Sequence, residues 1–304
     1  MSKQPFTASA KPIILSLLLT GLIVPASSAL LAQDAAFPKL AGSYLGQTPP
    51  GAVAKPFAPG IVKSSHSSVA ISPDGTEIYW SDGLLDRAIF VTRLVNGLWT
   101  KPVPLSFTRD EGGDGPKLSP DNRKLYFNSD RPRGPGDSRR ERIWGAERTA
   151  EGWAEPVPLG PEINDEHLHW QVTVDDRGNL YFGSERRGSK GQDDVFLAVP
   201  RPGGHEKPVS LDVAVNSKAH EGSPFVAPDG RYLIFLRDSD LWISFRGEGG
   251  RWRPAQRLKT PAHACCPYVS PDGKYLFFLK FERDTQTHTV YWMDAAGLGL
   301  DREG

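Results

Sequence analysis

Five of the seven histidines in this chain occur at one place in a repeating pattern. His66, His167, His220 and His263 precede a recurring turn aspartate by 8, 9, 9 and 9 residues, and His169 precedes the same turn as His167 by 7. In the one repeat without a histidine, Glu111 stands 10 residues before the turn. Glu166 and Glu221 adjoin two of the histidines. Neutral imidazoles with a carboxylate suit a divalent metal such as Mn, Zn or Fe. A cation so held polarises a carbonyl or activates water. The same residues suit a metal-free ligand site, or a polar lining in which His and Glu bond loop backbone and water. Three readings of His66, His167, His220 and His263 are therefore open: metal ligands, ligand-binding groups together with His169 and Glu111, or structure. Glu111, Glu166 and Glu221, with Asp114 as a spare, also admit the acid and base of glycoside hydrolysis. The competing role for these carboxylates is loop capping.

The elements that must position these residues follow from the turn itself. Ser72-Pro73-Asp74-Gly75 precedes Ile78-Tyr79-Trp80, and Ser119-Pro120-Asp121-Asn122 precedes Leu125-Tyr126-Phe127. Asp175-Asp176-Arg177, Ala227-Pro228-Asp229-Gly230 and Ser270-Pro271-Asp272-Gly273 stand before three further apolar runs. Several short strands per unit, repeated about every 45–55 residues, mark a propeller. The turn aspartates, with Asp176 taken as the third, are expected to bond nearby backbone N–H groups. The histidine segment then leads into the innermost strand of each blade, at one mouth of the central channel.

A second marker closes the ring. Lys55-Pro56, Lys101-Pro102, Glu155-Pro156, Lys207-Pro208 and Arg253-Pro254 precede the next turn aspartate by 18, 19, 20, 21 and 18 residues. Proline cannot donate to a strand ladder and belongs at an edge, so these pairs mark outer strands. The last turn has no such proline after it, and Pro56 has no turn before it. The segment 53–62 should therefore supply the outer strand of the last blade. The expected fold is all-β: a five-bladed β-propeller of four-stranded blades, its ring closed by an N-terminal strand that shields exposed edges.

Lys plus Arg and Asp plus Glu number 36 each, so no net charge draws the chain to nucleic acid. Lys3 and Lys11 precede an apolar run over residues 12–24, and small residues follow at Ala26-Ser27-Ser28-Ala29. This pattern reads as a signal peptide over residues 1–29, too short for a comfortable membrane span. Residues 30–52 read as a linker or strap, and 53–304 as one propeller domain. The mature protein is expected to be periplasmic or secreted, without a membrane span, and monomeric. Cys265 and Cys266 are adjacent and admit either a vicinal disulfide or two buried thiols, with metal or redox chemistry as a third possibility. There is no Gly-x-Ser-x-Gly elbow, no His-Glu-x-x-His and no phosphate-binding glycine loop.

The repeated Ser-Pro-Asp-Gly unit with its following aromatic pair resembles the TolB-like β-propellers over about residues 53–295. Asn128-Ser129-Asp130-Arg131 and Gly183-Ser184-Glu185-Arg186 are similar to that family's pieces, as are Cys266-Pro267-Tyr268 and Tyr291-Trp292-Met293-Asp294. The Asp175-Asp176-Arg177 turn departs from the pattern. The resemblance implies a propeller of the cell envelope and no single activity, since relatives include protein-binding scaffolds and envelope-associated modules. The first expected function is a scaffold for a protein or glycan ligand at the channel mouth. One branch of such propellers, the oligogalacturonate lyases, holds a metal with histidines in the channel. That branch implies the alternative, a metal-dependent lyase or hydrolase acting on a polysaccharide or small molecule.

Overall fold

The structure is a computed structural model that describes residues 37–300, apart from 65, 84–86, 139 and 165–170. The expected signal segment thus lies outside the described residues, as do Glu166, His167 and His169. The chain divides at Phe37–Pro38, and all elements named below belong to the unit after it.

Five antiparallel sheets form five blades. Their innermost strands are Ala70–Ile71, Asp114–Leu118, Val172–Val174, Glu221–Val226 and Ala264–Val269, for blades I to V. In blade I, Glu77–Asp82 and Ala88–Val95 follow, and the outer strand is split into Leu98–Trp99 and Val103–Pro104. Pro102 stands between the two pieces, where its missing N–H costs no ladder bond. Blade II repeats this split, with Gly152–Trp153 and Val157–Pro158 on either side of Pro156.

Each turn is tied by its own side chains. Ser72 Oγ donates to Asp74 Oδ1 at 2.6 Å, Thr76 N donates to the same oxygen at 3.0 Å, and Glu77 N donates to Ser72 Oγ at 2.9 Å. Ser119 with Asp121 and Ser270 with Asp272 repeat this network. The fourth turn position needs a positive φ, supplied by Gly75, Gly178, Gly230 and Gly273, and by Asn122 at 59°. Blade III departs from the expected assignment. Asp175, not Asp176, receives the N–H groups of Arg177 and Asn179, at 3.1 and 2.9 Å, whereas Asp176 N donates to Pro228 O of blade IV at 2.8 Å. A single carboxylate oxygen, Asp175 Oδ1, accepts both N–H groups, while Oδ2 accepts from Asn179 Nδ2 at 2.8 Å.

The ring closes where Lys55 pairs with Trp292 and Pro56 with Tyr291. Two ladder positions alone are a weak clasp. Phe57 strengthens it: its fully buried ring lies 5.0 Å from Phe277 and 5.2 Å from Trp292, edge-on to both. Residues before the clasp tie blade I to blade V. Trp99 Nε1 donates to Gly42 O at 2.7 Å, Tyr44 Oη donates to Asp272 Oδ1 at 3.0 Å, and Asp294 N donates to Gly51 O at 3.0 Å.

Neighbouring blades are joined by repeated ring contacts. Trp153 of blade II donates its Nε1 proton to Tyr79 Oη of blade I at 3.2 Å, beneath the Arg148 guanidinium. Trp252 of blade IV meets Tyr181 of blade III edge-on at 6.4 Å, beneath Arg246. Arg131 and Arg186 explain their motifs. Each buried guanidinium stacks on two aromatic rings of its blade and donates to backbone carbonyls of the preceding connection: Phe107 and Gly112 for Arg131, Glu162 and Ile163 for Arg186.

Candidate functional site at the channel mouths

Three innermost strands contain a register shift: between Asp114 and Lys117, between Gly222 and Phe225, and between Cys265 and Tyr268. Each carries a proline at the irregularity, Pro116, Pro224 and Pro267, where a bulge tolerates the missing N–H. The residue before each proline has a positive φ: Gly115 at 59°, Ser223 at 46° and Cys266 at 58°. For serine and cysteine this backbone costs on the order of 1 kcal/mol or more, a cost that recurs at functional sites. The bulge lies below the histidine end of the strand and sets which side chains line each mouth.

At the histidine mouth, a cavity of about 220 Å³ is lined by His66, Asp193, His220, Cys265, Cys266 and His288, with Leu236 and Leu279 as apolar walls. His220 Nδ1 and Asp193 Oδ2 are 2.7 Å apart. This hydrogen bond holds the His220 imidazole above its usual pKa, against the opposing effect of burial. Burial pushes His288 the other way, and the neighbouring His66 adds to that shift. Cys265 and Cys266 are thiols with sulfurs 3.3 Å apart, and Cys266 Sγ also donates to His66 O at 3.2 Å. The hydrogen bond to Cys265, followed by burial, raises the Cys266 pKa well above the ordinary thiol value.

The remaining candidates are dispersed. His263 is exposed, and its Nε2 faces the Arg283 guanidinium at 3.0 Å. Glu111 is exposed in a turn whose carbonyl oxygen accepts from Ser129 Oγ at 3.2 Å. Glu221 is fully buried, receiving Arg237 Nε at 2.8 Å and Ser217 N at 3.1 Å. Asp114 is likewise committed, to Arg87 at 2.9 Å and Ser81 at 2.5 Å. Among the described residues, no three His, Cys, Asp or Glu side chains come together closely enough to hold a metal ion. Asp193 and His288 lie outside the histidine-segment candidates of the sequence. Asp193 sits at the start of a third strand rather than in the histidine segment, and His288 lies in the last hairpin.

At the opposite mouth, where the turns lie, a cavity of about 400 Å³ is lined by all five blades, including Ile71, Lys117, Thr173, Phe225 and Tyr268. Ala70, Lys117, Thr173, Phe225 and Tyr268 occupy one level of the ring, each opposite the central residue of its second strand: Tyr79, Tyr126, Tyr181, Ile234 and Phe277. Lys117 is the one ionisable cation of that level. The signal that finds it is alignment of Gly115-Pro116-Lys117 with Ser223-Pro224-Phe225 and Cys266-Pro267-Tyr268. A wider cleft of about 640 Å³ opens between blades II and III, away from the channel, beside Tyr126, Glu147 and His205.

These features define a β-propeller with a cavity at each mouth of its channel. The chain is similar in fold to TolB from Acinetobacter baumannii, with 15% identity, a TM-score of 0.48 and coverage of 74% of this chain and 53% of that one. It thus spans about half the length of that TolB. A chain of the nidogen/laminin complex is similar at 16% identity and a TM-score of 0.50, with 77% of this chain and 76% of that one covered. A gluconolactonase from Xanthomonas campestris is similar at 12% identity and a TM-score of 0.47, over 84% of this chain and 97% of that one. No protein-family profile and no curated protein sequence matches the chain. The shared property is the fold, a β-propeller.

Proposed function

We propose that this chain is an exported propeller that binds a protein or glycan of the cell envelope at the histidine mouth of its channel. Export rests on the leader pattern of residues 1–29, with residues 30–52 linking it to the propeller. The observation that carries the binding reading is the His220–Asp193 pair at 2.7 Å beside a cavity with both polar and apolar walls. A fixed imidazole, further histidines and a thiol present donors and acceptors in set positions, as ligand recesses do. Of the carboxylates that glycoside hydrolysis would use, Glu166 lies outside the described residues, Glu221 is buried against Arg237, and Glu111 is exposed in its turn.

A metal-dependent lyase or hydrolase is the second reading, and one feature favours it. A carboxylate bonded to one imidazole nitrogen is the outer-shell arrangement found behind metal-bound histidines. Asp193 stands in that relation to His220. The two readings separate by metal analysis of mature protein exported from cells. One equivalent of Mn, Zn or Fe, lost in His66→Ala/His220→Ala, supports the lyase or hydrolase. Absence of metal, with none taken up on soaking and a ligand lost on His220→Ala, supports the scaffold.

A further inference from the structure

Lys117 is 4% exposed and lines the 400 Å³ cavity at the turn mouth. Its ammonium lies 5.1 Å from the centre of the Tyr268 ring. Neither a hydrogen bond nor an ion pair to another described residue satisfies it. A buried ammonium is costly without a partner, and cation–π attraction offsets only part of that cost. The carboxylates nearby are engaged elsewhere: Asp114 of the same strand with Arg87, and Asp229 at the rim with Arg231 at 3.4 Å. Tyr268 Oη is also committed, donating to Ile71 O at 2.9 Å and accepting from Ile71 N at 3.0 Å. The walls around the ammonium are apolar, with Phe225 edge-on to Tyr268 at 5.5 Å and Ile71 beside them.

A single unpaired cation in an apolar recess is complementary to one negative charge on an apolar body. We propose that Lys117 anchors a ligand site in the turn-side mouth that takes a small organic monocarboxylate, its body packed on Tyr268, Phe225 and Ile71. This site is separate from the histidine mouth, at the other end of the innermost strands, and does not rest on the function proposed above. A phosphate monoester or dianion fits less well, because the cavity's second cation, Arg231, lies at the rim paired with Asp229, leaving Lys117 as the one unpaired cation.

Desolvation lowers the Lys117 pKa to about 8, with the Cys266 thiol opposing weakly. The titratable or charged groups facing the cavity are Lys117, Tyr268 and Tyr232, with Asp229 and Arg231 at the rim. Carboxylate binding needs the protonated amine, so it should hold below about pH 8 and fade above it.

The test is calorimetric titration of mature protein with benzoate and hexanoate, each beside its neutral amide, and with inorganic phosphate. Wild type should bind a carboxylate in preference to its amide. Lys117→Met, which keeps an apolar chain of similar length, should weaken that binding at least about tenfold. Reductively 13C-methylated wild type supplies a second readout that needs no variant to fold. Its Lys117 resonance should titrate to higher pH when benzoate is present. Binding that is equal for carboxylate and amide, unchanged in Lys117→Met, or confined to phosphate overturns the proposal. So does a Lys117 resonance that benzoate leaves unmoved.

Discussion

Asp193 and His220 join two blades across the channel mouth through a 2.7 Å contact between Oδ2 and Nδ1. Asp193 immediately precedes the third strand of blade III, and His220 immediately precedes the innermost strand of blade IV. The backbone secures the same junction, with Glu221 N donating to Asp193 O at 3.0 Å. The imidazole is therefore oriented by a neighbouring blade, and its protonation reports the integrity of that junction.

The His220 pKa is raised in the folded protein, first by the bond to Asp193. A raised folded value means that the pair's stabilisation is fully present below the unfolded imidazole pKa near 6.5 and is lost as pH rises through the folded value. Asp193→Asn should move the His220 titration downward and remove this pH dependence. The measurement is the Cε1 proton shift of His220 against pH, assigned with His220→Ala. An unmoved titration would mean that Asp193 does not govern the ring.

Lys117 makes the opposite contribution. Its amine is pushed down to about 8 in the fold from the ordinary lysine value of 10.5, so between those values the unfolded chain binds more protons and stability rises with pH. Below about pH 8 the buried charge costs on the order of 3 kcal/mol. Lys117→Met should be more stable than wild type by up to that order at pH 7, with the difference shrinking between pH 8 and 10.5. Urea unfolding of both proteins at several pH values checks this.

Ring closure depends on Phe57 more than on the two-residue strand before it. Phe57→Ala should cost about 3–5 kcal/mol, as for other buried aromatic truncations. Hydrogen exchange should then show loss of protection at the N–H of Phe57, which donates to Val290 O at 2.7 Å. A loss below about 1 kcal/mol would show that the clasp rests on backbone pairing alone.

The two thiols differ in reach. Cys265 is partly accessible, whereas Cys266 is buried, bonded to His66 O, and held protonated by its hydrogen bond to Cys265 and by burial. Iodoacetamide at neutral pH should label Cys265 in the native protein and both residues after unfolding, as read by peptide mass. Equal native labelling of both would contradict this placement.

The repeat made the architecture legible because the turns obey local chemistry. A serine, an aspartate and a residue tolerant of positive φ recur together, and Phe57 follows the proline that marks the closing strand. The mouth was only partly legible. Sequence offset pointed to His66 and His220, which share one cavity, and to His263, which faces Arg283; adjacency to His220 pointed to Glu221, which is buried against Arg237. Offset along a strand does not encode the bulges at Gly115, Ser223 and Cys266, which shift which side chains meet the channel. Asp193 and His288 come from other strands, and their approach depends on how blades pack rather than on spacing within a repeat. Lys117 was hidden for a different reason, since an isolated lysine in a polar chain carries no pattern until the bulged strands are aligned.

The most direct test of the account is ligand capture at the histidine mouth. Mature protein would be immobilised and exposed to purified envelope glycans and envelope proteins of the source cells, with binding followed by interferometry. The account predicts a saturable ligand whose binding is abolished in His220→Ala and retained in Lys274→Ala, a change on an exposed turn at the other mouth. A ligand that binds His220→Ala as well as wild type, or that is lost only with Lys274→Ala, would contradict it.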